Sequence, residues 1–242
     1  MAEEHLTDVT PKIPLGNKLW PLTKEESRNI TLLFEEKPEQ ELVRNLSGGK
    51  EDVTVKVLDA AYWMKGCSSL GRLRFAVLVR IGKRSKRTYR LIDVKEATKA
   101  LAPPVKGHNM PANNAERVVM GARHLSPYLG ERMTPTNFEG KPVVVRELRP
   151  QDLKFEFEGL NQKEAVLTAR LLAGVVGKAH GRQMKASERK GWARTLKASY
   201  TKTLDAPSWL WNAVVDLVAA HEASYLRHCR SYALSAAKLE KD

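Results

Sequence analysis

Cysteine, aromatic residues and long apolar runs are all scarce in this sequence of 242 residues. Its two cysteines, Cys67 and Cys229, lie far apart without the spacing of a metal site, which excludes a disulfide framework and predicts a reduced, cytosolic protein. No run approaches about eighteen apolar residues, so no membrane span is expected. The first residues, M-A-E-E-H-L-T-D, lack the basic and apolar regions of a secretory signal, and a cytoplasmic location is predicted.

Acidic residues are outnumbered, with 41 Lys and Arg against 28 Asp and Glu and a net charge of +13. This surplus favours an anionic partner: nucleic acid, a nucleotide, a phosphorylated metabolite or an acidic membrane surface. The densest basic cluster runs from Lys83 to Arg87, where a hairpin turn is predicted. Because aromatics reach only 7% and no docking motif is visible, nucleic-acid binding is the less favoured alternative.

The order of patterns predicts an α+β protein with a β-rich half followed by an all-helical half. Residues 1–52 read as an irregular segment with two short helices, at 23–34 and 39–46. Residues 53–158 read as an antiparallel meander over 53–97, a helix over 115–129, a strand over 143–148 and an edge strand over 152–158. Residues 159–242 read as helices over 162–184, 187–199 and 207–238.

The most informative stretch spans residues 66–97, where G-C-S-S-L-G precedes two apolar strands. Small residues such as Gly66, Ser68, Ser69 and Gly71 allow backbone N–H groups to approach a phosphate. Lys95, late on the second strand, would add a positive charge to the same anion. A glycine-rich loop with a strand lysine is the arrangement that holds nucleotides in kinase-like folds. The alternative is an ordinary β-hairpin with a Gly- and Ser-rich entry.

Other candidate sites in the sequence favour structural roles. His221 and His228 lie seven residues apart, about 10 Å along a helix, which is too far for both to bind one zinc ion. No metal site and no catalytic residue is therefore assigned. The tryptophans near residue 210 and the lone His180 are interpreted as packing residues.

Five strings occur in the order and spacing of a known family: G-C-S-S-L-G-R-L-R-F, V-K-E-A, E-R-V-V-M-G-A-R, V-V-V-R-E-L-R-P and V-G-K-A-H-G-R. They resemble the C-terminal part of the uncharacterised bacterial family called domain of unknown function 2252. That family resembles kinase-like phosphotransferases, particularly the aminoglycoside phosphotransferases. The resemblance covers roughly residues 53–235. It implies a protein-kinase-like fold with a β-rich small lobe and a helical lobe, and it implies ATP and Mg²⁺ as cofactors.

Residue by residue, the resemblance places Gly66, Ser69 and Gly71 on the family's glycine loop, with Ser68 replacing its middle glycine. Lys95 falls on the lysine of the K-E-A string, similar to the kinase lysine that holds the α- and β-phosphates. Glu116 on the following helix is the candidate for its glutamate partner. These residues, Gly66, Ser68, Ser69, Gly71, Lys95 and Glu116, are the predicted nucleotide-binding set.

Two family strings are missing from this chain. The family's G-D-x-H-x-x-N and N-D-F-D strings precede the glycine loop and resemble a catalytic loop and a metal-binding aspartate. Neither G-D nor N-D occurs in this sequence. Phosphoryl transfer requires such groups to position the acceptor and hold Mg²⁺.

The leading hypothesis is a truncated or split kinase-like protein that keeps a phosphate clamp. It is either an inactive remnant or one half of a two-chain enzyme whose N-terminal half is encoded upstream. Two alternatives stay open at this point. One is a basic, non-catalytic module that binds nucleic acid or a partner protein. The other is a damaged gene product that exposes apolar surface.

Overall fold

A computed structural model describes residues 11–46, 54–65, 70–82, 87–103, 106–107, 109–126, 128–148, 159–200 and 207–239. The contacts divide the chain into two units, residues 1–180 and 181–242. The first unit contains the sheet, and the second contains helical segments. This division differs from the predicted boundaries at 52 and 158, which stay predictions.

Six antiparallel strands form one sheet in the order β1-β2-β3-β4-β6-β5. Their bounds are β1 Leu19–Pro21, β2 Val55–Trp63, β3 Arg74–Ile81, β4 Thr88–Glu96, β5 Met133–Phe138 and β6 Lys141–Leu148. The predicted meander is confirmed, because β2 pairs with β3 and β3 pairs with β4, both antiparallel. The predicted α+β class is likewise confirmed.

Two strands were absent from the sequence-based expectation. β1 lies in the segment predicted to be irregular, and its three residues pair with the end of β2. β5 has the sequence M-T-P-T-N-F, whose proline weakens any strand pattern. Pro135 is tolerated because β5 is an edge strand, where a missing N–H costs no ladder bond on the open side. The predicted strand over 152–158 lies outside the described residues.

One face of the sheet, here called the α1–α2 face, is covered by helices α1 (Lys24–Leu33) and α2 (Lys37–Asn45). The Thr23 side chain accepts the Glu26 N–H at 3.1 Å, and the Glu26 carboxylate accepts the Thr23 N–H at 2.8 Å. This capping box confirms the predicted helix start. The main core lies beneath these helices and includes Ile30, Leu33, Val43, Phe75, Val77, Ile92, Val94, Val143 and Val145.

The opposite face, here called the α3 face, is covered in part by helix α3 (Asn114–Leu125). Ala115 and Val119 of this helix pack against Ala97 and Val144. The helix ends four residues before the predicted bound at 129. Pro127 explains this shorter end, since a proline disfavours helical geometry in the residue before it, and Ser126 has non-helical angles of φ −126° and ψ 89°.

The C-terminal helices are α4 (Gln162–Gln183), α5 (Ala186–Ala198) and α6 (Ser208–Leu239), which confirms the three predicted helices. Asn161 opens α4 by accepting the Glu164 N–H through its side chain at 3.1 Å. None of the described helices is long and apolar enough to cross a membrane. Many apolar side chains on α4 and α6 are exposed to solvent.

Candidate functional site

The strand register gathers four charged side chains on the α3 face. Lys95 on β4 lies directly opposite Arg74 on β3, while Asp93 lies opposite Arg146 on β6. Since directly paired residues and residues two apart on a strand share one face, all four belong to the same patch. Lys95 is thus positioned by ordinary β pairing, with a like charge as its neighbour across the strand.

Asp93 is the centre of this patch. Its carboxylate is fully buried and accepts bonds from Arg74 Nε at 2.9 Å and Arg74 Nη2 at 2.7 Å. Arg146 Nε donates to the same carboxylate at 3.2 Å. The Arg74 guanidinium also lies 4.5 Å from the ring centroid of Trp63, a cation–π contact. Two hydrogen-bonded arginines compensate for the burial of one carboxylate, and they tie β3, β4 and β6 together.

A cavity of about 430 Å³ opens beside this patch. Its basic lining residues are Arg72, Lys95 and Arg146, and its apolar ones include Val118, Met133 and Val144. Glu96 is the acidic residue of the lining, and its carboxylate lies 3.6 Å from Lys141 Nζ. The cavity wall is therefore positively charged, with an apolar remainder. Such a wall suits an anion that carries an apolar group.

Lys95 is held in an environment that opposes its charge. Burial lowers the pKa of Lys95 below its usual value, and repulsion from Arg74 lowers this pKa further. Attraction to Asp93 opposes these effects, while Arg146 and Arg72 add more repulsion. A bound anion would relieve this repulsion, so the site favours a negatively charged ligand.

The last residues of the connection between β2 and β3 are hydrogen-bonded next to Lys95. The Leu73 N–H donates to Glu96 Oε2 at 3.0 Å, and the Glu96 N–H donates to the Leu73 carbonyl at 2.8 Å. The Tyr62 hydroxyl donates to the Arg72 carbonyl from the other side of the connection. Together these bonds hold Arg72 at the cavity.

Gly71 precedes this anchored segment with φ +68°, a left-handed conformation that glycine adopts without strain. Of the four loop residues in the predicted nucleotide-binding set, only Gly71 is described. Gly66, Ser68 and Ser69 lie outside the described residues, so their predicted role stays a prediction.

The structure does not bring Glu116 to Lys95. Glu116 is exposed in the first turn of α3 and lines a different cavity together with Met120 and Arg123. Val118, two residues further along, turns toward the Lys95 cavity. Because two residues span about 200° around a helix, both cannot face the same side. The carboxylate that attracts Lys95 is Asp93 on its own strand.

A second cavity of about 380 Å³ shares Met133 and Arg146 with the first. Helix α3 supplies apolar atoms to it through Ala122 and Leu125, and Leu129 follows the helix. The two cavities thus place an apolar region beside the basic one.

Sequence reasoning missed Arg72, Arg74 and Asp93 as site residues. One signal was present, since Arg72 and Arg74, like Asp93 and Lys95, alternate with apolar residues on strands whose other face is buried. The basic cluster at 83–86 lies outside the described residues, and the neighbouring Arg87 is exposed. His180, His221 and His228 are exposed on helices.

Residues 4–231 match a protein-family model described as an uncharacterized protein conserved in bacteria, DUF2252. The chain belongs to the DUF2252 family. The match extends over all six strands and into α6, so the DUF2252 region includes both the charged patch and the C-terminal helices. A search of curated proteins and a search of solved structures each found no match to this DUF2252 chain.

Proposed function

We propose that this DUF2252 protein binds the phosphate groups of a nucleotide in the cavity beside Lys95, as the nucleotide-holding part of a phosphotransferase-like protein. The observation that carries the proposal is the convergence of Arg72, Lys95 and Arg146 on one cavity. Its acidic residue, Glu96, is already engaged by Lys141 and by the Leu73 N–H. Charge-assisted hydrogen bonds from lysine and arginine are the usual means of holding phosphate.

A nucleotide is favoured over a simple phosphate because the adjoining cavity has an apolar part beside its charged residues Arg132, Arg146 and Glu147. Ala122, Leu125 and Leu129 would contact a base while Arg146 contacts the phosphates next to it. The chain order supports the same proposal. Lys95 lies on the third strand of the meander and α3 follows, as the phosphate-holding lysine strand precedes a helix in protein kinases.

Catalysis is proposed to require a second polypeptide. The sequence contains neither G-D-x-H-x-x-N nor N-D-F-D, and the buried Asp93 is engaged by two arginines. A separate chain, equivalent to the family's N-terminal part, would supply the groups that position the acceptor, with ATP as the phosphoryl donor. The exposed leucines of α4, such as Leu167 and Leu171, offer apolar surface for such a partner. We place this activity in the cytoplasm, where an exposed thiol such as Cys229 stays reduced.

Calorimetric titration with ADP and with inorganic diphosphate tests the binding proposal. We expect binding by the purified chain, weakened at least about tenfold by Lys95→Met, since a charge-assisted bond is lost. Lys37→Met is the matched control, because Lys37 is exposed on α2 and its contact with Glu41 is a weak surface pair at 3.9 Å. Equal binding by Lys95→Met and the wild type would refute the proposal.

Single-stranded nucleic acid serves as the competing ligand in the same titration. Three results together would favour the non-catalytic alternative. Binding would fall steeply with salt, would be unchanged by Lys95→Met, and would disappear when four basic residues are replaced by serine: Lys83, Arg84, Lys86 and Arg87.

A further inference from the structure

The carboxylates beside the cavity are already occupied by protein donors. Asp93 binds Arg74 at 2.7 and 2.9 Å through its two oxygens, and the first of these oxygens also accepts Arg146 Nε at 3.2 Å. Glu96 Oε2 accepts the Leu73 N–H at 3.0 Å and lies 3.6 Å from Lys141 Nζ. Neither carboxylate is therefore available without breaking contacts that hold the site.

These residues do not fit a Mg²⁺ site. Mg²⁺ requires oxygen ligands in near-octahedral geometry and takes one or two carboxylates in addition to phosphate oxygens. If Asp93 turned to a metal ion, Arg74, which is only 5% exposed, would lose its hydrogen bonds to that carboxylate. Over the part of the chain that the structure describes, no three His, Cys, Asp or Glu side chains are close enough to share a metal ion.

The basic residues can instead balance a phosphate charge directly. Arg146 uses Nε to reach Asp93, and its side chain remains 40% exposed where it lines the cavity. Among the described residues none accepts a hydrogen bond from its terminal nitrogens, which can donate as a planar fork, the geometry that suits phosphate oxygens. Lys95 is a diagonal neighbour of Arg146 across β4 and β6, and the backbone positions of such neighbours lie about 7–8 Å apart. Both side chains line one cavity together with Arg72, so three positive charges face the ligand, and the larger negative charge of two linked phosphate groups balances them better than that of a single phosphate.

We propose that the cavity binds a metal-free diphosphate group, whose charge is balanced by Arg72, Lys95 and Arg146 in place of Mg²⁺. This inference rests on the proposed function and makes it more specific. It disagrees with the Mg²⁺ cofactor that the kinase resemblance implies. The physical reason is that a bound Mg²⁺ would remove two negative charges from the ligand and would itself be repelled by the three cations.

The test is calorimetric titration of the full chain with ADP, once with EDTA and once with a millimolar excess of Mg²⁺, at equal ionic strength. We expect binding in EDTA and about tenfold weaker binding with Mg²⁺, because the complexed ligand carries less charge. AMP is the control ligand, since a single phosphate binds Mg²⁺ weakly and its affinity should change little. Lys95→Met should reduce ADP binding in EDTA, whereas Lys37→Met should not.

The outcomes separate this inference from the function on which it rests. Tighter ADP binding with Mg²⁺ than with EDTA would overturn the metal-free proposal and leave phosphate binding intact. Equal affinity in the two conditions would also overturn it. No binding of ADP or diphosphate in either condition would overturn both proposals together.

Discussion

Lys95 and Glu39 are two described residues whose surroundings disfavour their charges. Lys95 lies beside Arg74, and Glu39, a residue of α2, is fully buried. Binding sites commonly hold such groups at a cost in stability, because the environment that binds a ligand opposes the empty state. The two residues differ in one respect: Lys95 lines a cavity, whereas the side chain of Glu39 has no solvent exposure.

Replacing Lys95 with methionine should stabilise the protein while it weakens anion binding. The pKa of Lys95 is lowered on folding, so its charge destabilises the folded state at neutral pH. Relief of a directly opposed like-charge pair is worth about 0.2–1 kcal/mol, or up to about 4 °C in Tm. Thermal unfolding of Lys95→Met and the wild type at pH 7 measures this difference.

The pH dependence gives a second check on Lys95. The destabilisation is complete below the folded-state pKa and disappears as pH rises toward the usual value of 10.5. The Tm advantage of Lys95→Met should therefore shrink under alkaline conditions. A lower Tm for this variant at pH 7 would contradict the account of Lys95.

Replacing Glu39 with leucine should also stabilise the protein, with the opposite pH trend. Burial raises the pKa of Glu39 above 4.5, although its own backbone N–H and then Thr136 lie near enough to favour the charge. Its carboxylate oxygens have no hydrogen-bond partner of normal geometry among the described residues. The wild type therefore loses stability as pH rises above 4.5. We expect Glu39→Leu to gain about 1–3 kcal/mol at pH 8 and less at pH 4.5 in urea unfolding.

The exposed Glu41 provides the comparison for Glu39. Glu41 lies one turn from Lys37 in a surface pair of 3.9 Å, so Glu41→Leu should change stability by less than about 0.5 kcal/mol at either pH. If Glu39→Leu instead lowers the free energy of unfolding, the Glu39 carboxylate stabilises the fold and the account of Glu39 is wrong.

At the scale of elements, local patterns could be predicted from the sequence, whereas the pairing of strands could not. The Thr23–Glu26 capping box and the alternation at the start of β2 depend on neighbouring residues, so both were predicted. The site depends on register: only pairing across β3, β4 and β6 brings Arg74 and Arg146 to Asp93. Lys95 was predicted because its position in the chain resembles a known arrangement. Asp93, two residues earlier on the same strand, shares a face with Lys95, but its bonds to Arg74 and Arg146 depend on the pairing of separate strands.

Asn113 supports the cavity wall through the start of α3. Its side chain accepts the Ala115 N–H at 2.8 Å and the Glu116 N–H at 3.3 Å, which satisfies free donors of the first turn. Asn113→Ala should cost about 0.5–2 kcal/mol in urea unfolding, while Asn113→Asp should retain most of the stability. If both variants unfold like the wild type, this cap contributes nothing to α3.

At the scale of the whole molecule, the composition is ordinary but the distribution of apolar residues is not. Leu167 and Leu171 on α4 are 70% and 56% exposed, and Trp211, Val215 and Val218 on α6 are each about half exposed. Helices that are apolar on several sides are normally buried. Composition could not predict this exposure, because it counts apolar residues without showing which of them are buried.

The double variant Leu167→Gln/Leu171→Gln tests whether the apolar surface of α4 causes self-association of the isolated chain. Exposed apolar patches drive association, so the wild type should self-associate with rising concentration and enhance the fluorescence of the dye ANS. The double variant should reduce both signals and keep its Tm, because glutamine retains helix propensity and little buried area is lost. Leu32→Gln on α1, 47% exposed in the wild type, is the matched control and should leave both signals unchanged. If the double variant instead lowers Tm by several degrees and self-association persists, these leucines belong to the core of the folded chain, and the partner proposed for α4 loses its support.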